Sequence, residues 1–366
     1  MSSQPHLFEI EQASEAWHLL NVPASSQQIK EARFRLPTWY RDDLDPLDTP
    51  YRDQQLALWR AITGRSEYQP DRDEETPEIA SLDPLRRPGL YSANDAAVAG
   101  DHLMAMGHIL KISGLTARQR PRILEYGAGF GQIALTFARI GFCVETVDIS
   151  ANYCNAVAAS SEHYKVDLTP HIGAFGYNPA GQPHAYDLVF FYESFHHCLD
   201  FQLLVHRLVE LLKPGGKVLL AGEPIVTNAP DIMPYPWGIR LDGENVAVTH
   251  ARGWMELGFQ EDFLVRLFEA AGFRFRKHRK RRRKVALTRP VRLFGVSVAP
   301  IFSQALPALP RSGGYRAWRW DHGLHRGSRA PLRDIHDVGR RALLAFRRSP
   351  MGRHNPLAAA CLLHRG

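Results

Sequence analysis

At 366 residues the chain can bury one large core or two modest ones, and its 45% hydrophobic and 23% charged content is ordinary globular composition. No apolar run approaches the ~20 residues of a bilayer-spanning helix, and MSSQPHLFEIEQ carries early acids with no apolar stretch; neither a transmembrane segment nor a secretory leader is expected, and the expected compartment is cytoplasmic. The net charge of +7 divides unevenly: residues 277–366 hold 21 Lys or Arg against 3 Asp or Glu (+18), and residues 1–276 hold 24 against 35 (−11), which sets a boundary near 277.

Residues 1–93 mix short amphipathic pieces with proline and acidic clusters, RDDLDPLD from Arg41 and DRDEET from Asp71. DQQLALWRAI from Asp53 reads as a helix with Leu56, Leu58, Trp59 and Ile62 roughly on one side, and the whole segment as a folded helical cap. From Asn94 the pattern becomes regular. A helix ends near Gly114, RILEYG is a short apolar strand, and GFGQIALTFARIG is a helix closed by Gly141. FCVETVDIS is a second strand, ANYCNAVAASSEHYK a second helix, and VDLTPHIGAF holds a third strand. YDLVFFYES from Tyr186 has the continuous apolar centre of a strand covered on both faces. DFQLLVHRLVELLKPGG is a helix closed by a Pro-Gly-Gly turn, KVLLAGEPI the next strand, and FQEDFLVRLFEAAGF a further helix. Past Gly272 the segment FRFRKHRKRRRK can begin a strand, residues 285–355 show no sustained period, and LAAACLLHRG reads as a closing strand. Strands alternating with helices imply right-handed crossovers: an α/β, Rossmann-like, doubly wound and mostly parallel sheet over 94–276, with helices on both faces, an N-terminal cap and a basic C-terminal extension.

In such sheets ligands bind beyond the carboxyl ends of the strands, where the strand order reverses. Glu125-Tyr126-Gly127-Ala128-Gly129-Phe130-Gly131 stands at the first such end, and glycine there lets a cofactor reach the backbone amides of the helix that follows. Asp148 ends the next strand, 21 residues after Gly127, where an acid can accept from both hydroxyls of a ribose. Gln132 takes the place of the third glycine of the dinucleotide fingerprint, whose pyrophosphate needs a bare helix entrance. A cofactor with no phosphate and an amino-acid end gains more from an acid such as Glu125.

Taken together, E-x-G-x-G-x-G, an acid ending the second strand, a helix running into K-P-G-G and a following apolar strand resemble the class I S-adenosylmethionine-dependent methyltransferases over about 94–273. The resemblance implies that S-adenosyl-L-methionine is the cofactor, that Gly127, Gly129 and Gly131 pack against its methionine part, that Asp148 holds the ribose, and that Ile149 lies against the adenine. Many members carry an acid after the third strand, where this chain reads Gly173-Ala174-Phe175; Phe175 would then stack on the adenine.

Tyr192-Glu193-Ser194-Phe195-His196-His197 leaves the fourth strand on the same side and resembles the S-F-H-H segment of small-molecule methyltransferases of the quinone and sugar-modifying types. GEPI…PYPWGIRLDGE and RGWMELGFQEDF are similar to methyltransferases associated with bacterial polysaccharide pathways. A hydroxyl acceptor benefits from a base, worth ~10²–10⁴-fold. The sequence nominates His196 as that base, Glu193 as its orienting or acceptor-binding partner, Glu223 as the alternative, and His197 as a core or capping residue. The N/D-P-P-Y/F tetrapeptide of amino-methylating nucleic-acid enzymes is missing, and Cys143, Cys154, Cys198 and Cys361 form no C-x-x-C pair or zinc spacing, so no metal is expected. The expected acceptor is a small, hydroxylated, carbohydrate-like molecule, with residues 1–93 as its lid. The basic section 277–366 also invites a polyanion or anionic-membrane contact, and with it RNA as an alternative acceptor. An NAD-dependent oxidoreductase and a non-enzymatic interaction protein share the alternating fold and remain open at this level.

Overall fold

The computed structural model describes residues 6–76, 85–88, 91, 95–227, 232–279, 292–293, 296–297 and 316–322. In chain order the N-terminal part holds β1 (Leu7–Phe8), α1 (Ala13–Leu20), α2 (Pro23–Glu31), β2 (Arg33–Phe34), α3 (Thr49–Thr63) and α4 (Pro70–Asp73). The central part runs α5 (Ala96–Ser113), β3 (Arg122–Tyr126), α6 (Gln132–Ile140), β4 (Cys143–Asp148), α7 (Ala151–Tyr164), β5 (Leu168–Ile172), β6 (Tyr186–Tyr192), α8 (Phe201–Leu211) and β7 (Leu212–Ala221). Then follow β8 (Ile225–Val226), β9 (Trp237–Ile239), α9 (Gly243–Arg252), β10 (Leu257–Gln260), α10 (Glu261–Ala270), β11 (Phe273–Arg279), β12 (Arg292–Leu293), β13 (Val296–Ser297) and β14 (Arg316–His322).

The main sheet has seven strands in the order β11-β14-β7-β6-β3-β4-β5. β7, β6, β3, β4 and β5 are mutually parallel, and β14 enters antiparallel between β7 and β11. The chain winds outward from β3 through β4 to β5, then returns to the other side of β3 for β6. The strand order therefore reverses between β3 and β6, and a crevice opens at their carboxyl ends. Leu188, Val189, Phe190 and Phe191 of β6 are all fully buried. Their alternate side chains feed two cores: Leu188 and Phe190 meet Ile133 and Phe137 of α6, while Val189 and Phe191 join a larger core with α8, α10 and the N-terminal part.

The N-terminal helices do not form the cap alone. Strands β8, β10 and β9 make a small mixed sheet, and α9 packs on α1, α2 and α3. Tyr51 Oη donates to the Trp237 carbonyl at 2.6 Å, Trp59 Nε1 to the Gly253 carbonyl at 2.9 Å, and the Ile239 N–H to Gln55 Oε1 at 3.1 Å, all in fully buried surroundings. Residues 6–76 and 232–260 thus share one interior, where the sequence expectation had one segment, 1–93.

Two local expectations change. Helix α8 stops at Leu211, and Lys213-Pro214-Gly215-Gly216 lies in an irregular stretch of β7, whose pairing with β6 jumps from Leu212 to Lys217. Residues 285–355 contain a strand the sequence reading missed: β14 buries Trp318 and Trp320 at 1% and 0% exposure, Trp320 stacking on Phe268 of α10. The closing strand expected in LAAACLLHRG lies outside the described residues. Among the described residues no helix is long and apolar enough to cross a membrane.

Candidate active site

β3 ends at Tyr126, and the next residues turn sharply into α6. Gly127, Gly129 and Gly131 all have φ near +60° (63°, 53° and 63°), in the left-handed region that costs other residues ~1–2 kcal/mol. The space is also closed to side chains. A Cβ on Gly127 would stand 2.6 Å from the Ser194 Cβ, and one on Gly131 would stand 2.7 Å from a Val157 methyl. This cradle is one that a Cβ would fill.

Asp148 leaves the end of β4 toward that turn. Its carboxylate accepts the Gly129 N–H at 3.0 Å and the Ser150 N–H at 2.9 Å, so it ties the glycine turn to the start of α7 while lining the crevice. Burial raises its pKa against the lowering pull of those two N–H groups. Glu125 is 3% exposed and accepts the Ala134 N–H at 3.1 Å. Burial pushes it well above the usual carboxylate range. Two carboxyl groups short of solvation beside a glycine turn fit a cationic ligand, whose charge would favour the ionised form of each.

Two cavities meet here and share Gly127, Gly129 and Glu193. The smaller, about 500 Å³, contains Glu125, His102 and Phe130. The larger, about 530 Å³, is within the range of small-molecule sites. Its floor is Asp148, Ile149 and Phe175, and its roof comes from the cap through Tyr68, Glu74 and Trp254. Every nucleotide-site residue expected from the sequence therefore lines one or both cavities.

The acceptor-side expectations fare differently. His196 does not line either cavity: it is 7% exposed, with Nδ1 2.7 Å from Glu223 Oε2 and Nε2 3.5 Å from Glu256 Oε2. Burial alone would lower its pKa, but these carboxylates hold it above the ordinary value. With both ring nitrogens turned to carboxylates and the side chain away from the cavities, His196 has no nitrogen to offer a substrate, which corrects its assignment as the base. Glu223 is equally committed. Its two oxygens accept the Ser194, Phe195 and His196 N–H groups at 3.0, 2.9 and 3.1 Å as well as the His196 ring, and this network holds its pKa low despite burial. It fixes the turn after β6 and leaves nothing facing the crevice, so it is no alternative base.

Glu256 is drawn down to about 2 against the effect of burial by His196 and Arg240, whose guanidinium is hydrogen-bonded to it. Donor atoms of His196, His197 and Glu256 lie within 4.8 Å of one another, but Arg240 already provides the cation at Glu256, and Glu223 occupies the far nitrogen of His196. Glu193 does line both cavities, at φ +50°, with burial and then the Glu223 charge raising its pKa.

His197, expected to pack inside, is the histidine in the larger cavity. Burial, with His196 beside it, lowers its pKa to about 4, so its ring is neutral at physiological pH. Across from it stands Glu74, which the sequence showed only as part of the acidic cluster DRDEET. Its Oε1 accepts the Tyr68 hydroxyl at 2.7 Å and the Met255 N–H at 3.1 Å, and its Oε2 lies 3.8 Å from His197 Nδ1. Burial raises Glu74 to about 7. Nothing in a run of acids marks which one turns inward; the aromatic Tyr68 six residues earlier was the available signal.

Against known proteins, residues 102–278 match the family model of a methyltransferase domain. The ubiquinone biosynthesis O-methyltransferase of Xanthomonas euvesicatoria pv. vesicatoria is 28% identical over 100 residues, which are 27% of this chain and 42% of that protein. The 27-O-demethylrifamycin SV methyltransferase of Amycolatopsis mediterranei is 29% identical over 136 residues, 36% of this chain and 47% of that one. This chain thus spans less than half the length of the curated relatives it matches. Among solved structures, the 1,6-didemethyltoxoflavin-N1-methyltransferase of Burkholderia thailandensis, crystallised with its acceptor and S-adenosylhomocysteine, superposes with a TM-score of 0.39 at 17% identity, over 63% of this chain and 80% of that one. With the glycine turn, Asp148 and the reversal of strand order at the same crevice, the matched residues 102–278 form a methyltransferase domain of the class I S-adenosylmethionine-dependent type.

Proposed function

We propose that the protein transfers the methyl group of S-adenosylmethionine to an oxygen of a small, neutral, hydroxylated acceptor held between the sheet and the cap. The carrying observation is the lining of the larger cavity. Glu74, Glu75, Asp148, Glu193 and Asp200 contribute carboxyl groups there, and the single basic side chain, Arg52, is bound by Asp200 at 2.5 and 3.0 Å. Such a surface favours a cationic cofactor and disfavours a phosphate-bearing acceptor, which weighs against RNA at this site. Trp254, Tyr68 and Phe175 offer flat apolar faces suited to a ring, including the apolar face of a sugar. The relatives named for O-methylation support oxygen as the accepting atom.

When bound, the cofactor would supply an electrophilic methyl carbon. The chain's own part is to bind and align: Gly127, Gly129 and Gly131 open the backbone, Asp148 accepts from the ribose hydroxyls, Ile149 and Phe175 pack on the adenine, and Glu125 meets the amino-acid end. Alignment alone can contribute about 7–11 kcal/mol to an in-line displacement. The cap is the acceptor-binding part of this reading, the cytoplasm its compartment, and the basic section 277–366 an electrostatic tether to a polyanion or anionic membrane, whose binding would fall steeply with salt.

The test is thermal. S-adenosylhomocysteine at ~100 times its Kd adds about 2.7 kcal/mol to the folded state. Asp148→Ala removes most of that gain. A shift with NAD and none with S-adenosylhomocysteine overturns the cofactor, and label transfer from methyl-labelled cofactor to RNA but to no small hydroxylated compound overturns the acceptor class.

A further inference from the structure

We propose that Glu74, supplied by the cap rather than by the methyltransferase fold, is the general base that takes the proton from the acceptor hydroxyl. The assignment rests on the function proposed above and adds the residue that performs the proton step.

The geometry separates the two oxygens of this carboxyl group. Oε1 is held by the Tyr68 hydroxyl and the Met255 N–H, which fix the side chain's direction. Oε2 faces His197 at 3.8 Å, too long for a hydrogen bond, and His197 Nδ1, with no hydrogen-bond partner, is itself buried. The carboxyl group and the neutral imidazole thus sit side by side in the cavity wall with no hydrogen bond between them. A hydroxyl in the cavity can donate to Glu74 Oε2 and lie against the imidazole ring. The side chain of Glu74 is 9% exposed, so water does not compete freely for the position.

The alternatives near it are spent. His196 is held between Glu223 and Glu256, Glu223 serves four donors, and Glu256 is paired with Arg240. Glu193 lines both cavities where they meet at the glycine turn. The charged or titratable groups facing Glu74 are Tyr68 from its own segment, His196, His197 and Cys198 from the turn after β6, and Glu256 just before β10. Their sum leaves its proton exchangeable near neutrality, where a base is most useful.

In the step, the acceptor O–H bond breaks and its proton passes to Glu74 Oε2. The oxygen lone pair forms the new O–C bond to the methyl carbon, and the S–C bond electrons return to sulfur. The products are the methyl ether, S-adenosylhomocysteine and a protonated Glu74, which then releases its proton to solvent.

Catechol, with two hydroxyls on a flat ring, is the probe acceptor, used with wild type, Glu74→Gln and Glu74→Asp in the full chain. The expected result is a ~10²–10⁴-fold loss of kcat in Glu74→Gln with S-adenosylhomocysteine affinity unchanged, a smaller loss in Glu74→Asp, and a wild-type rate that rises with pH through about 7 and becomes flat in Glu74→Gln. In ¹³C-carboxyl spectra of glutamate-labelled protein, one resonance titrating near 7 should vanish in Glu74→Gln and shift when catechol binds. A Glu74→Gln enzyme within threefold of wild type with the same rising profile overturns the assignment while leaving the methyltransferase reading intact. So does the absence of a carboxyl group titrating near neutrality. A wild-type protein that binds no S-adenosylhomocysteine refutes the function on which the assignment rests, and the assignment falls with it.

Discussion

Keeping Glu74 in place carries a cost in stability that a neutral isostere would remove. In the folded chain burial holds its pKa at about 7, against the ordinary 4.5 taken for the unfolded chain. Between those values the folded state keeps a proton that the unfolded state releases. The contribution of this group to stability is thus fully present below pH 4.5 and lost as pH rises through about 7. A gap of about 2.5 units at 1.36 kcal/mol each makes that loss about 3 kcal/mol. Glu74→Gln keeps an oxygen for the Tyr68 hydroxyl and the Met255 N–H, and its amide N–H₂ can reach toward His197 Nδ1, while it has no charge to desolvate. The variant should therefore match wild type at about pH 4.5 and exceed it by about 3 kcal/mol at about pH 8. With 366 residues and about 2.1 cal/mol/K of melting entropy per residue, that is a rise in Tm of about 4 °C. The assay is melting of both proteins, without cofactor, across that pH range. Two curves that stay parallel with pH would refute the reasoning, because they would mean that Glu74 ionises in the folded chain as freely as in water.

Three further substitutions test other parts of the structure. Gly127→Ala sets a methyl group 2.6 Å from the Ser194 Cβ at φ +63°, and should cost at least about 2 kcal/mol in thermal melting and most of the cofactor affinity in calorimetric titration; Gly141→Ala, at φ +101° with open space around it, should show the backbone cost alone and keep that affinity. Glu223→Leu strands three buried N–H groups and a charged His196, so chemical denaturation should report a loss of about 3–5 kcal/mol, with Glu223→Gln losing less. Trp320→Ala should cost about 3–5 kcal/mol in the same measurement if β14 is an integral strand of the sheet, and almost nothing if it is not.

The elements from Ala96 to Ala221, and α10, were legible because each carries its own local signal, such as an apolar strand or helical stripe bounded by Gly114, Gly141 or a capping Ser150 or Asp95, whereas β9, α9 and β10 went unread. The glycine turn and Asp148 were legible for the same reason, since backbone geometry and spacing suffice to identify them. What escaped depended on contacts between distant segments. The pair His196-His197 leaves β6 in a single turn of 3₁₀ helix, and which ring faces outward is decided by Glu223 and Glu256, far along the chain. Glu74 is one acid in a row until the cap folds over it. β14 was written in the sequence as Trp318 and Trp320 two residues apart, a strand period too short to stand out among the surrounding arginines.

The shared interior of residues 6–76 and 232–260 has a consequence for redesign. On the proposed function, acceptor choice is not a cassette that can be exchanged at the N-terminus. Glu74 comes from the first segment and Trp254 from the second, Met255 N–H holds Glu74, and the Trp254 indole donates to the Glu75 carbonyl at 2.8 Å. A chimera that replaces only the leading segment with that of another methyltransferase would leave Trp237, Gln55's partner strand and the roof of the cavity facing foreign side chains. Specificity can be moved only by transplanting both stretches together, with the turn after β6 kept as the fixed point between them.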